Sequence, residues 1–179
     1  MRATGIVRRI DDLGRIVIPK EIRRTMRMRE GDPLEIFTGT GGEIIFKKYS
    51  IMAELSEFSQ SFADSLYKVS GMQCIIFDSD KVIACTGQNR KDIIGAHASR
   101  EIEDILSRRS SYFRQYQSEK ALVPCHHCDS CIIGATPIIA AGDGVGVVAL
   151  LGSESDVLTD GQKKLLVLTS TLMANHLEI

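Results

Sequence analysis

The chain has 179 residues, 44% of them hydrophobic and 25% charged. That is enough apolar content for one compact domain or two small ones, and it excludes wholesale disorder. No uninterrupted apolar run reaches membrane-spanning length, and Met1 to Arg9 has no apolar core segment, so neither a transmembrane helix nor a secretory signal is expected.

The formal net charge of -1 conceals an uneven distribution. Residues 1–50 hold 11 Lys and Arg against 7 Asp and Glu, whereas residues 51–179 hold 11 against 16. Within residues 1–29, nine basic residues face three acidic ones. A basic head on an acidic body points to a polyanionic partner for the head. The five cysteines, an odd number, read as reduced thiols rather than a disulfide framework.

In chain order, Ile6-Val7 and Ile16-Val17-Ile18 are strand-like, around the turn signal Asp11-Asp12-Leu13-Gly14. Pro19 opens a short helix from Lys20 to about Met28, with Ile22 and Met26 on one face. Glu30-Gly31-Asp32-Pro33 stops it. Leu34–Phe37 and Glu43–Phe46 form a hairpin across the glycine-rich residues 38–42. Fifty residues make a small core, and adjacent Arg8 and Arg9 point to opposite faces of a strand. A dimer with a shared core follows as the expectation.

Leu55, Phe58, Phe62, Leu66 and Val69 then recur at helical spacing, either linking two domains or belonging to the second core. Strands are expected at Gln73–Phe77 and Lys81–Cys85, and a helix over 93–107. A second hairpin, 132–140 and 145–151, turns at residues 141–144. Thr159 or Asp160 caps a last helix carrying Leu165, Leu168, Leu172 and His176 on one side. This order predicts an α+β sheet domain with flanking helices. The expected division is 1–51, a connecting or oligomerisation helix 52–70, and 71–179.

Arg8, Arg9, Arg15, Arg23, Arg24, Arg27 and Arg29 are all arginine rather than lysine. The forked, permanently charged guanidinium matches phosphate oxygens and guanine edges. A solvated helix face with local pairs to Glu21 and Glu30 is the plainer alternative.

The string Ala3-Thr4-Gly5-Ile6-Val7-Arg8-Arg9-Ile10-Asp11-Asp12-Leu13-Gly14-Arg15-Ile16-Val17-Ile18-Pro19-Lys20-Glu21-Ile22-Arg23-Arg24 closely resembles the DNA-binding domain of AbrB-type transition-state regulators. Residues 30–36 and 44–49 continue the match. The α+β order of 71–179 is similar to the GAF-like domain found in sporulation regulators of this family. The resemblance implies a swapped-hairpin β-barrel made by two interleaved chains, followed by a GAF-like domain. It implies a DNA-binding transcriptional regulator of sporulation genes, not an enzyme, acting on AT-rich deformable duplex DNA. The DNA-contacting residues would be Arg8, Arg15, Arg23 and Arg24, joined by Arg9. It also implies a homotetramer, a nucleoid-associated cytoplasmic location in the forespore, and an unidentified small-molecule effector. No membrane partner is expected.

Cys125-His126-His127-Cys128-Asp129-Ser130-Cys131 is the other segment that bears chemistry. Cys125, Cys128 and Cys131 with His126 or His127 have a zinc-like composition, and three thiols also suit an iron–sulfur cluster completed from elsewhere. Four ligands from seven residues are awkward to close, so no cofactor is expected. A redox-reactive thiol set and a plain loop of reduced thiols stay open beside metal. Cys74 and Cys85 read as core residues, and His97 and His176 as structural. An antitoxin with a similar barrel, or a metal- or redox-responsive regulator using 125–131, are the competing functions.

Overall fold

The computed structural model describes residues 4–50, 52, 56–87, 90–126 and 128–177. They form two compact units, Met1–Tyr49 and Ser50–Ile179. Leu55 and His127, both named above, lie outside the described residues.

The first unit holds α1 (Lys20–Thr25), β1 (Leu34–Thr38) and β2 (Ile44–Lys48), the two strands paired antiparallel from Leu34 opposite Lys48 to Thr38 opposite Ile44. Gly42, at φ 83°, takes the left-handed backbone their connection requires. α1 is shorter than the expected helix because its last turn closes early. Met28 N donates to Arg23 O at 2.7 Å and Arg27 N to Arg24 O at 3.3 Å, while Arg27 sits at φ 50°. That is a Schellman ending with arginine where glycine is usual.

Neither Ile6-Val7 nor Ile16-Val17-Ile18 forms a strand within one chain, which corrects the expectation. The turn between them is made, yet Ile6, Val7, Ile16 and Val17 stay exposed. Among residues 4–49 only Pro19 is buried.

The second unit is a five-stranded sheet, every pair antiparallel, in the order β4-β3-β7-β6-β5. Its strands are β3 (Gln73–Phe77), β4 (Val82–Cys85), β5 (Tyr112–Phe113), β6 (Cys131–Ala140) and β7 (Asp143–Gly152). Both faces are covered, so the strands read as near-continuous apolar runs whose residues alternate between two cores, the alternation shifting at Ile76/Phe77, Ile132/Gly134 and Ile138/Ile139. Cys74, Ile76, Val148 and Leu150 face α2 (Ser56–Ser70) and α5 (Asp160–Leu177), where Ala63, Leu66, Leu166 and Met173 complete one core. Ile75, Phe77, Val147 and Ala149 face α4 (Arg100–Arg108) and its Ile102, Ile105 and Leu106. β6 and β7 turn through Ala141 and Gly142, at φ 49° and 84°, the pair of positive angles of a two-residue hairpin.

Two expectations need revision. The helix expected over 93–107 is two helices, α3 (Arg90–Ile93) and α4. Gly95 at φ 83° breaks it, and Ser99 caps α4 by accepting Ile102 N at 3.3 Å. The stripe Leu165, Leu168, Leu172 and His176 is not the buried face of α5: Leu166, Thr169, Ser170, Met173 and Ala174 are buried, and Leu168 and Leu172 are exposed. The helix over 56–70, read as linker or core, packs on β3 and β4 within the second unit, burying Ser59, Ala63 and Leu66 and leaving Val69 exposed.

Candidate nucleic-acid interface

The first turn is built by one carboxylate. Asp11 Oδ1 accepts the Leu13 and Arg15 main-chain N–H groups at 3.0 and 2.8 Å. Arg15 Nε donates to Asp11 Oδ2 at 2.8 Å, so the guanidinium is held beside the turn while its side chain stays 68% exposed. The Arg15 main-chain and side-chain hydrogen bonds hold the Asp11 carboxyl below its ordinary range. Gly14 closes the loop, donating to Asp11 O at 3.1 Å with φ 75°.

Arg8 and Arg9 lie exposed before this turn, on a segment that forms no strand within the chain. Arg23 and Arg24 are exposed in the last turn of α1, where a helix favours positive charge. The structure therefore puts Arg15 on a turn and Arg23 and Arg24 on a helix face within one unit. It does not pair the segment that carries Arg8 and Arg9.

Sequence spacing gave no sign of Lys48 and Asp32. Lys48 Nζ reaches Asp32 Oδ2 at 3.2 Å and donates to Arg27 O at 3.2 Å. Asp32 Oδ2 also accepts Arg29 N at 2.8 Å. The end of β2 is thus tied to the arginine-bearing loop after α1, a contact between residues 21 positions apart that no local pattern encodes.

In the second unit the described residues of the cysteine segment divide between the two faces of the sheet. Among the described residues, no three His, Cys, Asp or Glu side chains lie close enough to hold a metal ion. Cys125 and Cys128 pack with Cys85 on the α4 face, whereas Cys131 packs on the opposite face of the sheet. His126 is exposed. Burial pushes the Cys74 thiol up strongly and that of Cys85 to about 11. Cys128 moves the other way, down to about 7, because the Cys125 thiol hydrogen-bonds to its sulfur; a main-chain bond at Ser130 adds to this, against desolvation and the Asp129 charge. Cys125, the donor of that pair, is raised.

His97 Nδ1 lies 3.3 Å from Asp80, and the His176 ring stacks on Phe58 at 3.8 Å, both structural contacts as expected. An open groove of about 400 Å³ lies beside α2 and α3, lined by Glu57, Gln60, Ile83, Arg90 and Ile94.

Comparison with known proteins assigns both units. Residues 54–178 match the family described as stage V sporulation protein T C-terminal, transcription factor. Residues 7–51 match the family described as antidote-toxin recognition MazE, bacterial antitoxin. Stage V sporulation protein T of Bacillus subtilis (strain 168) is 42% identical over 178 residues, 99% of each chain. Transition state regulatory protein AbrB of the same organism is 55% identical over 49 residues, 27% of this chain and half of that one. The GAF domain of a phosphoenolpyruvate-protein phosphotransferase from Coxiella burnetii superposes with a TM-score of 0.55 at 16% identity, over 70% of this chain and 86% of that one. This last likeness fixes the fold of the second unit as GAF-like. The antitoxin reading loses its ground, since a folded three-layer domain occupies the place of a disordered toxin-binding tail. Matched along its whole length by one relative, the chain belongs to the stage V sporulation protein T family of transcription factors.

Proposed function

We propose that two chains interleave their first fifty residues into one closed β-structure, whose rim of Arg8, Arg9, Arg15, Arg23 and Arg24 grips the backbone of duplex DNA. The observation that carries this reading is the bare apolar surface of the first unit. Val7, Leu13 and Val17 are 84%, 69% and 73% exposed, and Ile10, Met26, Ile36 and Ile44 are exposed beside them. A single chain leaves this surface in water; a second copy of the same unpaired segments covers it. The paired positive faces then span one duplex.

Phosphate neutralisation dominates affinity in such an interface, and sequence preference for AT-rich, deformable DNA comes from the cost of shaping the duplex. A second contact between chains completes a homotetramer. Its support is the outward stripe of Val167, Leu168 and Leu172 on α5. Family membership supports control of sporulation genes on the forespore nucleoid, and the GAF-like unit is the place for a small-molecule effector.

The test is fluorescence anisotropy of the full chain on AT-rich duplex DNA across a salt series. Arg15→Ala and Arg23→Ala each weaken binding and flatten the salt slope by about 0.9 for every phosphate that the variant leaves unneutralised. Unchanged slopes would overturn the arginine assignment.

A further inference from the structure

The cysteine segment takes no part in the proposed DNA interface, and it lies wholly within the second unit. Its ends are pinned by main-chain bonds. Ser99 N donates to Pro124 O at 3.0 Å, Ala98 and Cys125 form an antiparallel bridge, and Ile132 N donates to Leu122 O at 2.8 Å. The loop between is a short tie from the start of α4 to β6. Within it, Cys125 and Cys128 are three residues apart and pack on one apolar cluster, Cys125 inside it and Cys128 against its edge. Cys125 is 2% exposed and Cys128 is half-buried, so Cys128 is the more accessible of the two.

That asymmetry is what a two-step thiol oxidation needs: an accessible sulfur that attacks and a sheltered one, three residues away on the same cluster, that resolves. Cys131, facing the other side of the sheet, is not part of the pair. Cys74 is buried in the opposite core, and Cys85 is buried with its sulfur directed 3.8 Å from Arg90 O.

We propose that Cys125 and Cys128 form a peroxide-reactive dithiol site, with Cys128 the attacking sulfur and Cys125 the resolving one. The Cys128 thiolate attacks one oxygen of hydrogen peroxide. The O–O bond breaks, one oxygen leaves as water after taking a proton, and a sulfenic acid remains on Cys128. The Cys125 sulfur attacks that sulfur, the S–O bond breaks, the hydroxyl leaves as water with the Cys125 proton, and a disulfide forms. Peroxide gains the two electrons that the two thiols lose, and two waters carry off the protons. A dithiol reductant reverses the reaction by thiol–disulfide exchange. The loop joining α4 to β6 is thereby cross-linked in oxidised protein and open in reduced protein. The site goes beyond DNA binding and does not rest on it.

The experiment exposes the reduced full chain to hydrogen peroxide, alkylates the remaining thiols under denaturing conditions and maps the peptides by mass. The expected result is one intrachain Cys125–Cys128 disulfide, two fewer alkylated thiols, and full recovery with dithiothreitol. In Cys125→Ser, oxidation stops at a sulfenic acid on Cys128 that dimedone traps. In Cys128→Ser, neither disulfide nor adduct forms at Cys125, and Cys131→Ser oxidises like the parent. Five free thiols after treatment, a bond to Cys85, Cys131 or a second chain, or a dimedone adduct on Cys125 would each overturn the proposal. The peptide map of the unsubstituted chain decides the matter even where a serine variant fails to fold.

Discussion

A single carboxylate decides where the Arg15 charge sits. Asp11 takes two main-chain donors and the Arg15 guanidinium, so removing it deletes a negative charge and a scaffold together. The two consequences oppose each other for DNA affinity. Solvent screens an exposed ion pair, but the turn it organises orients the arginine. Asp11→Ala therefore lowers affinity for duplex DNA by about fivefold in an anisotropy titration, although net charge becomes more positive. A rise in affinity would mean that Arg15 acts only as a diffuse charge. Cysteine chemistry is set at the same scale. The thiolate is the reactive form, and Cys128 is held at about 7 against an ordinary 9.0. Its alkylation by iodoacetamide rises with pH and is half-maximal about two units below that of an ordinary thiol. Cys85, at about 11, stays unreactive in the folded protein through the same range. Residue-resolved mass spectrometry after timed labelling checks both.

Elements are positioned by features that do not show in periodicity. Gly146 in β7 has no room for a side chain, because a Cβ there meets the Phe77 carbonyl oxygen beside the β3 bulge. Gly146→Ala is expected to cost about 1–3 kcal/mol in urea unfolding followed by circular dichroism, since backbone rather than a flexible side-chain tip must move. The edge strand β4 is covered by a side chain. Gln60 of α2 accepts from Cys85 N at 3.3 Å and donates to Cys85 O at 3.1 Å, satisfying both groups the edge would otherwise leave open. The start of α5 is a reciprocal cap: Gln162 N donates to Thr159 Oγ1 at 3.3 Å, and Thr159 N to Gln162 Oε1 at 2.9 Å. Buried Arg114 gathers the Tyr116, Gln117 and Glu119 carbonyl oxygens and so shapes the chain after β5.

On the scale of the whole molecule the two units differ in kind. The second closes a core on each side of its sheet. The first buries only Pro19 among residues 4–49. Val17→Asp puts a charge on a segment that a second chain must cover in the proposed dimer. It is expected to abolish DNA binding and to reduce the assembly seen by sedimentation velocity. The thermal transition of the second unit should stay unchanged. An intact assembly that still binds DNA would contradict the interleaved dimer.

Much was legible in the residues. The β1–β2 hairpin, β3, β4, the β6–β7 hairpin and the capped last helix follow from alternation, turn residues and capping side chains, all local features. The arginine-rich head and its family likeness were also local, carried by a continuous string. The misjudged faces have one common cause. Leu168 and Leu172 are as apolar as Leu166 and Met173, and only the packing partner decides which of them is buried. The unpaired Ile6–Ile18 segment has strand-forming residues but no partner in its own chain. Lys48 near Asp32, and Cys125 and Cys128 on one face of the sheet with Cys131 on the other, likewise depend on where distant backbone lies. Composition and short-range spacing determined the element types, the cationic head and the domain class. Which faces were buried, which thiols shared a core and which segments stayed unpaired were decided only by the tertiary structure, because burial and pairing belong to pairs of surfaces, while sequence states one surface at a time.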